Sequence, residues 1–304
     1  MEILDKNDST DINGGVVSQI RKITYAGLIV NVVLFIVKLA LGILGHSQAV
    51  VADAIHSLSD LITDFAIIFG VKFWSKPADD CHPYGHRRIE TFITAIIGLV
   101  LVAAAVGIGY NALSTIRDAH IEQPCWIAFM GALISIVFKE VLYHWTIKVG
   151  KRLKSSAVIA NAWHHRTDAF SSIPVAIAVA AATLNENWIF LDHIGAIVVS
   201  IFILSAAWKI MQPAIAELFD AGAFEHHKKE IQNIILNTSG VKSIHKLRTR
   251  RVGSGLYLDV HIQVAPAMSI LDGHEISGLV KRKLLNEGPD VIDVIIHIEP
   301  YDSV

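Results

Sequence analysis

Apolar residues are concentrated between residues 23 and 211, in windows of about 20 residues that carry almost no charge. A helix of this length crosses the ~30 Å hydrocarbon core of a bilayer. Because lipid leaves unpaired backbone groups without partners, each window is predicted to be helical. The six predicted spans are Ile23–Leu44, Ala49–Trp74, Thr91–Leu113, Trp126–Trp145, Val158–Leu184 and Trp188–Met211. The polar first 22 residues do not resemble a cleavable signal peptide.

After residue 212 the charge rises and the periodicity changes. In the clearest strand, apolar Leu258 and Val260 alternate with polar Asp259 and His261, which indicates a half-buried sheet. The predicted order is helix Phe224–Asn237, strand Val241–Arg251, strand Leu256–Ala265, helix Ser269–Asn286 and strand Val291–Pro300. This α-β-β-α-β order predicts a small two-layer α+β domain with one open, polar sheet face.

Composition supports this division. The chain is 53% hydrophobic and 18% charged, with a mean hydropathy of +0.49, whereas a soluble protein typically carries about 25% charged residues. We predict a polar tail over residues 1–20, an all-α membrane domain of six helices over 21–212, and a separate α+β domain over 213–304. The net charge of −2 argues neither for nor against a charged partner, and we expect no nucleic acid partner.

Basic residues are distributed asymmetrically around the predicted spans. One side carries eleven, namely Lys6, Arg21, Lys22, Lys72, Lys76, Arg87, Arg88, Lys148, Lys151, Arg152 and Lys154, and the other side carries Arg117. Cytoplasmic loops carry the excess of Lys and Arg, so both termini are predicted to be cytoplasmic. Cys81 and Cys125 then fall on opposite sides of the membrane and cannot form a disulfide within one chain.

Ionisable residues recur at helical spacing inside two of the predicted spans. In the second span, the stretch VVADAIHSLSDLITDF places four of them on one helix face: Asp53, His56, Asp60 and Asp64. In the fifth span, ANAWHHRTDAFSS repeats the first two intervals with Asn161, His164 and Asp168. Two helices that each present His-x-x-x-Asp predict a four-ligand N₂O₂ cage of His56, Asp60, His164 and Asp168.

Zn²⁺ accepts tetrahedral sites with such mixed ligands, whereas all-oxygen sites suit Mn²⁺ and thiolates favour Zn²⁺ or Cu(I). The predicted cage therefore favours Zn²⁺, with Cd²⁺ or Fe²⁺ as alternatives. The simpler alternative is that these residues form interhelical hydrogen bonds. Paired stripes with equal spacing argue against it, because ionisable groups within a membrane are usually functional.

Two further groups of ligand-type residues lie outside the spans. The loop stretch PADDCHPYGHRRIE spaces Asp79, His82 and His86 so that they can share a metal, with Asp80 and Cys81 as substitutes. Alternatively, the histidines merely cap a Pro-Tyr-Gly turn. In the tail, the predicted polar sheet face presents a second set, comprising His245, His261, His297 and Glu299, with His274 on the neighbouring helix. Exposed histidines are common, so a purely structural role is the alternative there.

No pattern indicates an enzyme. A glycine-rich phosphate loop after a strand, a nucleophile–base spacing and a His-Glu-x-x-His motif are all absent from the sequence. The motifs instead resemble those of the cation diffusion facilitators, specifically the bacterial zinc-type divalent-metal/proton antiporters. The resemblance spans residues 21–300 and rests on GHSQAVVADAIHSLSD, KPADDCHPYGHRRIE, HHRTDAFSS, IHKLRTR, LDVHIQV and VIIHIEP. It implies a homodimer with six spans per protomer and a ferredoxin-like cytoplasmic domain of the metallochaperone type.

The resemblance also implies roles for individual residues. It assigns transport to the cage, a loop metal site to Asp79, His82 and His86, and a tail metal site to His245, His261, His297 and Glu299, with His274 nearby. Some zinc members carry Asp at position 56, so the His here implies narrower zinc use. Glu299 departs from the Asp of similar bacterial members. A charge interlock between protomers would map onto Arg88 and Asp220.

The resulting expectation is an efflux transporter in the bacterial inner membrane that exchanges Zn²⁺ for protons by alternating access. Protons and metal compete for the same nitrogen and oxygen atoms, which couples the two flows. The tail sites are expected to regulate transport or stabilise the dimer. Two alternatives remain: the same transporter exporting Fe²⁺ or Cd²⁺, and a metal-regulated proton channel in which the stripes form a relay.

Overall fold

The structure is a computed structural model that describes residues 6–116, 122–153, 155–253 and 255–301. Within its helices, the side chains of residues 6–21, 63, 64, 66–69, 71, 156 and 157 are not described. The side chain of the predicted stripe member Asp64 is therefore not described, and the loop residues Arg117 and Lys154 lie outside the described residues.

The membrane domain is all-helical, as predicted. Its helices are α1 (Lys6–Leu44), α2 (Gln48–Trp74), α3 (Arg88–Thr115), α4 (Trp126–Arg152), α5 (Ser156–Leu184) and α6 (Phe190–Leu218), with a short 3₁₀ turn at Glu186–Trp188 before α6. Within the described residues, five of them are long and apolar enough to span a membrane. The remaining predicted span corresponds to the 27-residue α2, for which several side chains are not described.

The start of α2 is fixed by a buried carboxylate from α6. Asp192 accepts hydrogen bonds from Ser47 Oγ and from the backbone N–H groups of Gln48 and Ala49. The first N–H groups of a helix have no partner within the helix, and an acidic group there also complements the helix dipole. Asp192 thus holds the first turn of α2, the helix that carries the first predicted stripe.

Helix α4 packs closely against both α1 and α5 because small residues line its buried face. Ala128 and Ala132 are fully buried, and an added Cβ at Gly131 would lie 3.0 Å from Leu41 of α1. At the other end of the helix, an added Cβ at Gly150 would come within 2.9 Å of a side-chain carbon of Ile159 on α5. This close approach brings the middle of α4 against the second predicted stripe.

The tail domain has the predicted order, with α7 (Glu225–Leu236), β1 (Ser243–Val252), β2 (Gly255–Val264), α8 (Ile270–Glu287) and β3 (Val291–Pro300). The sheet order is β1-β2-β3, with β1 antiparallel and β3 parallel to the central β2. The alternation predicted for β2 is confirmed. Its Leu258 and Ile262 are buried in a core shared with α7 and α8. The opposite sheet face carries the polar side chains, so the α+β prediction is confirmed.

The described chain divides into two compact units. One unit consists of Phe69–Ile96 and the chain from Lys209 onward, and the other consists of the remaining described residues. The first of these units contains the α2–α3 loop, the end of α6 and the tail domain. Within it, Arg88 lies 2.7 Å from Asp220, and Glu217 accepts a hydrogen bond from the backbone N–H of Gly253. The two residues predicted to form an interlock therefore pair within one chain, and their predicted role between protomers stays a prediction.

Candidate metal centre

The structure brings Asp60 of α2 together with His164 and Asp168 of α5. One ligand atom from each lies within 4.8 Å of the others, and we call these three residues the membrane cluster. On α5 the two ligands are one turn apart, with His164 Nδ1 3.6 Å from Asp168 Oδ1. Asp168 is buried and His164 is half exposed, so the cluster opens on the His164 side. The His-x-x-x-Asp spacing on α5 therefore does place both residues on one side of the helix.

His56, the fourth residue predicted for the cage, is not part of the membrane cluster. It lies one turn before Asp60, a displacement of about 6 Å along the helix axis. Its Nδ1 is buried and has no hydrogen-bond partner among the residues that the structure describes. A ring nitrogen without a partner is suited to a ligand role, and the four-ligand cage stays a prediction.

Two of the other stripe members, Asn161 and Asp53, have partners outside the membrane cluster. Asn161 lies 3.4 Å from His165, through its Nδ2 and the histidine Nε2. Asp53 lies in a separate buried network in which its carboxylate is 2.8 Å from Lys38 Nζ and accepts a hydrogen bond from Ser172. The equal spacing of the two stripes thus predicts the ligands on α5 and at position 60, whereas Asn161 and Asp53 make other contacts.

Sequence reasoning missed a cationic member of the site. Lys139 of α4 is buried, and its Nζ donates a 2.7 Å hydrogen bond to Asp168 Oδ2. Lys38 and Lys139 both lie in predicted spans that otherwise carry very little charge. Both lysines are ionisable groups within a span, and such groups are usually functional, so the sequence does carry a signal for them. With Lys139, the membrane cluster combines two carboxylates, an imidazole and one ammonium group.

The structure brings together the three main residues of the predicted loop site, which we call the loop cluster. Ligand atoms of Asp79, His82 and His86 lie within 4.8 Å of one another, whereas Asp80 and Cys81 are not part of the group. A hydrogen bond from the backbone N–H of His82 lowers the pKa of the Asp79 carboxyl below its usual range. The carboxylate is thereby kept ionised, which is the form that binds a metal.

The tail cluster comprises His245, His261 and Glu299, one from each strand. Glu299 Oε2 is 2.8 Å from His245 Nε2, and its Oε1 is 2.7 Å from His261 Nδ1. The hydrogen bond with His261 lowers the pKa of the Glu299 carboxyl. His297 lies at the edge, with Nε2 3.5 Å from Glu299 Oε1, and His274 lies outside the group. Their predicted membership in this site stays a prediction.

The strand register explains how the tail cluster forms. His245 on β1 pairs with His261 on β2, and His261 pairs in turn with His297 on β3, so three histidines stand side by side across the sheet. An irregularity follows His245, where Lys246 has a φ of +50°. Such a bulge changes the direction of neighbouring side chains, and His245 here reaches the same carboxylate as His261.

Comparison with known proteins agrees with this arrangement. Residues 24–219 match the family described as "Cation efflux transmembrane domain", and residues 225–301 match "Cation efflux protein, cytoplasmic domain". The chain is 37% identical to Metal tolerance protein C1 of Arabidopsis thaliana over 92% of this chain, and it spans 62% of that protein's length. It is 32% identical to Manganese efflux system protein MneP of Bacillus subtilis, over 92% of this chain and 96% of that protein.

A third relative is Magnetosome protein MamB of Magnetospira sp., 31% identical over 86% of this chain and 89% of that protein. The family match covers well over half of the chain and includes every residue of the membrane, loop and tail clusters. The chain belongs to the cation diffusion facilitator family, and it is a divalent metal cation efflux transporter rather than an enzyme.

Proposed function

We propose that this transporter exports Zn²⁺ in exchange for protons, by alternating access of the membrane cluster to the two sides of the membrane. The observation that carries the proposal is the approach of Asp60, His164 and Asp168 to within 4.8 Å across two helices of the membrane domain. Two oxygen ligands and one nitrogen ligand match the mixed set that Zn²⁺ accepts. His56, with its unpartnered Nδ1, would supply the second nitrogen after a local rearrangement.

Proton coupling follows from the identity of these ligands. A carboxylate must be ionised and an imidazole neutral to bind a divalent ion, so protons and Zn²⁺ compete for the same atoms. On the side with lower pH, protons displace the ion, and on the other side the ion displaces protons. The same chemistry makes a separate energy source, such as nucleotide hydrolysis, unnecessary for export.

Mn²⁺ is the second candidate cargo. Two similar Bacillus subtilis proteins, 32% and 31% identical to this chain, are named manganese efflux system proteins. Two of the three clustered ligands are carboxylates, which suit Mn²⁺ as well as Zn²⁺. The imidazole of His164, and that of His56 when it joins, favour Zn²⁺ over Mn²⁺. We therefore place Zn²⁺ first.

The proposal also includes a cellular location, an orientation in the membrane and a role for the metal clusters outside the spans. We place both termini in the cytoplasm of a bacterial cell, with the protein in the inner membrane, because the basic loops lie on that side of the spans. We assign cytoplasmic metal binding to the loop and tail clusters. Metal bound in the tail of a homodimer would favour one arrangement of the two tails and so regulate transport.

Exchange assays in proteoliposomes test the proposal. The full chain is reconstituted with a zinc-sensitive dye inside, and the rates of Zn²⁺ uptake and proton release are recorded together. Replacement Asp60→Ala should abolish both signals, since it removes a ligand of the membrane cluster. His144→Ala is the control, because this exposed histidine of α4 pairs with Glu140 and is outside the cluster. Exchange at the wild-type rate in Asp60→Ala would contradict the proposal.

A further inference from the structure

Two buried lysines in the membrane domain form ion pairs, and only one of the two partner aspartates belongs to the membrane cluster. Lys38 and Lys139 each have a side chain that is 2% exposed, and each lies within 2.8 Å of an aspartate oxygen. A lysine buried in a membrane helix is costly unless a partner balances its charge. The partner of Lys38 is Asp53, which lies outside the membrane cluster, whereas the partner of Lys139 is Asp168, a member of it.

The ammonium group of Lys38 is fully hydrogen-bonded by side chains that are not ligands of the membrane cluster. An ammonium group has three donors, and Lys38 Nζ has three acceptors, in Asp53, Ser57 and Ser172. Ser172 Oγ also donates to the Asp53 carboxylate at 3.0 Å. One positive and one negative charge are thus neutralised and hydrogen-bonded within a network that joins α1, α2 and α5. We therefore expect this ion pair to stabilise the packing of the three helices.

The Lys139 pair shares its carboxylate with the membrane cluster. Lys139 Nζ bonds to Oδ2 of Asp168, and Oδ1 of the same carboxylate faces His164 Nδ1 at 3.6 Å. A carboxylate offers about four lone-pair positions, so one oxygen can serve the lysine while the other binds a cation. The charge of Asp168, however, is divided between the lysine and any ion that binds beside it.

We propose that Lys139 is a positioning residue of the transport site, a fixed cation that competes with the cargo ion for Asp168 and keeps binding weak enough for release. This inference rests on the proposed function of the membrane cluster. Asp60 and Asp168 together carry two negative charges, and Lys139 cancels one of them before a divalent ion arrives. The loaded site then holds a net positive charge, and repulsion between the ammonium group and the ion favours departure.

The competition predicts opposite effects for two substitutions of Lys139. In Lys139→Met the apolar stem remains and the charge is lost, so Asp168 is left entirely to the ion, and the affinity for Zn²⁺ should rise about tenfold or more. In Lys139→Arg the planar guanidinium pairs with both carboxylate oxygens, including Oδ1, so the affinity should fall about tenfold. A purely structural lysine would change the thermal stability but leave the affinity of the folded protein unchanged.

The experiment measures the Zn²⁺ dissociation constant of the full chain in detergent, by competition with a chelating indicator. All variants also carry His82→Ala and His261→Ala, which weaken the loop and tail clusters. The matched controls are Lys38→Met and Lys38→Arg, because Lys38 is equally buried but its ion pair lies outside the membrane cluster. Both controls should retain the Zn²⁺ affinity of the parent within about threefold.

The outcomes separate this inference from the proposed function. If zinc binding to the parent protein does not depend on Asp60, the proposed function fails. If it depends on Asp60 but Lys139→Met leaves the dissociation constant unchanged or weakens binding, the inference about Lys139 fails alone. If Lys139→Met does not fold, Lys139→Arg decides, and an unchanged affinity in that variant overturns the inference.

Discussion

The membrane cluster and the tail cluster use the same ligand types, but their carboxylates differ in burial. Both combine imidazole with carboxylate, but the Asp168 side chain in the membrane is 10% exposed, whereas the Glu299 side chain in the tail is 26% exposed. In the tail, the histidines that bind Glu299 are themselves the candidate ligands. In the membrane, the buried Lys139 is bound to the ligand Asp168. The comparison teaches that a buried site carries its own counter-charge, while water serves that purpose at an exposed site.

The difference in burial also affects how a bound metal ion leaves each cluster. An ion in the tail cluster can leave directly into solvent, so its affinity can be set by the ligands alone. An ion in the membrane cluster must leave a low-dielectric environment where charge interactions are strong, and a fixed cation weakens the hold of the carboxylates. The tail is therefore suited to sensing a steady metal concentration, and the membrane cluster to repeated binding and release.

The largest expected effect on zinc flux comes from replacing Asp168, the carboxylate of the membrane cluster that also contacts Lys139. Asp168→Asn should reduce zinc flux into proteoliposomes by at least about 100-fold, since it removes one ligand and leaves Lys139 without its partner. The matched control is Glu140→Gln, which neutralises a neighbouring carboxylate on α4 outside the membrane cluster. Equal zinc flux in Asp168→Asn and Glu140→Gln would show that Asp168 is no more important for transport than Glu140.

The next effect concerns stability rather than transport. Lys38→Met leaves Asp53 buried without its cation and should lower the free energy of unfolding by about 3–5 kcal/mol. Thermal unfolding in detergent measures the loss, with Lys72→Met, an exposed lysine at the end of α2, as the control. An equal stability of the two variants would show that the buried network on α1, α2 and α5 is not a structural tie.

In the tail, we expect a graded loss of metal affinity. His261→Ala should weaken zinc binding by about 10–100-fold in the full chain carrying Asp60→Ala, because His261 contacts Glu299 at 2.7 Å in the centre of the sheet. His297→Ala should have a smaller effect, since His297 is 62% exposed and 3.5 Å from Glu299. His274→Ala, outside the cluster, is the control. Equal losses at all three positions would argue against the cluster as described.

The smallest effect is a pH dependence in the tail. The pKa of Glu299 is lowered in the folded protein from its usual 4.5, so the ionised carboxylate stabilises the fold above that pH. This contribution is lost as the pH falls through the lowered pKa. Between about pH 6 and pH 3, the thermal midpoint of wild type should therefore fall more steeply than that of Glu299→Gln. Parallel curves for the two proteins would contradict this assignment.

Much of the fold could be predicted because it depends on local periodicity. Long apolar windows specify helices in lipid, and the alternation from Leu256 to Val264 specifies a strand with one buried face. Helical spacing on α5 likewise predicts that His164 and Asp168 share a face. These features depend on residues near one another in the chain, which is where sequence patterns are informative.

The rest depends on contacts between distant segments. Whether His56 joins Asp60 at the ion is decided by side-chain directions at the helix interface, which the spacing does not specify. The side-by-side arrangement of His245 and His261 depends on strand register and on the bulge at Lys246. The pairing of Lys139 with Asp168 depends on the packing of α4 against α5. A lone lysine has no periodic signal, so its partner could not be identified from the sequence.

The zinc content and zinc coordination of the full chain show whether the membrane cluster binds the transported ion. The full chain carrying His82→Ala and His261→Ala is loaded with Zn²⁺ and measured by elemental analysis and X-ray absorption at the zinc edge. We expect one ion per chain, with nitrogen and oxygen ligands at about 2.0–2.2 Å and scattering from imidazole. Asp168→Asn should reduce the zinc content to background. If the ion stays bound with the same ligands after this substitution, the membrane cluster is not the zinc site.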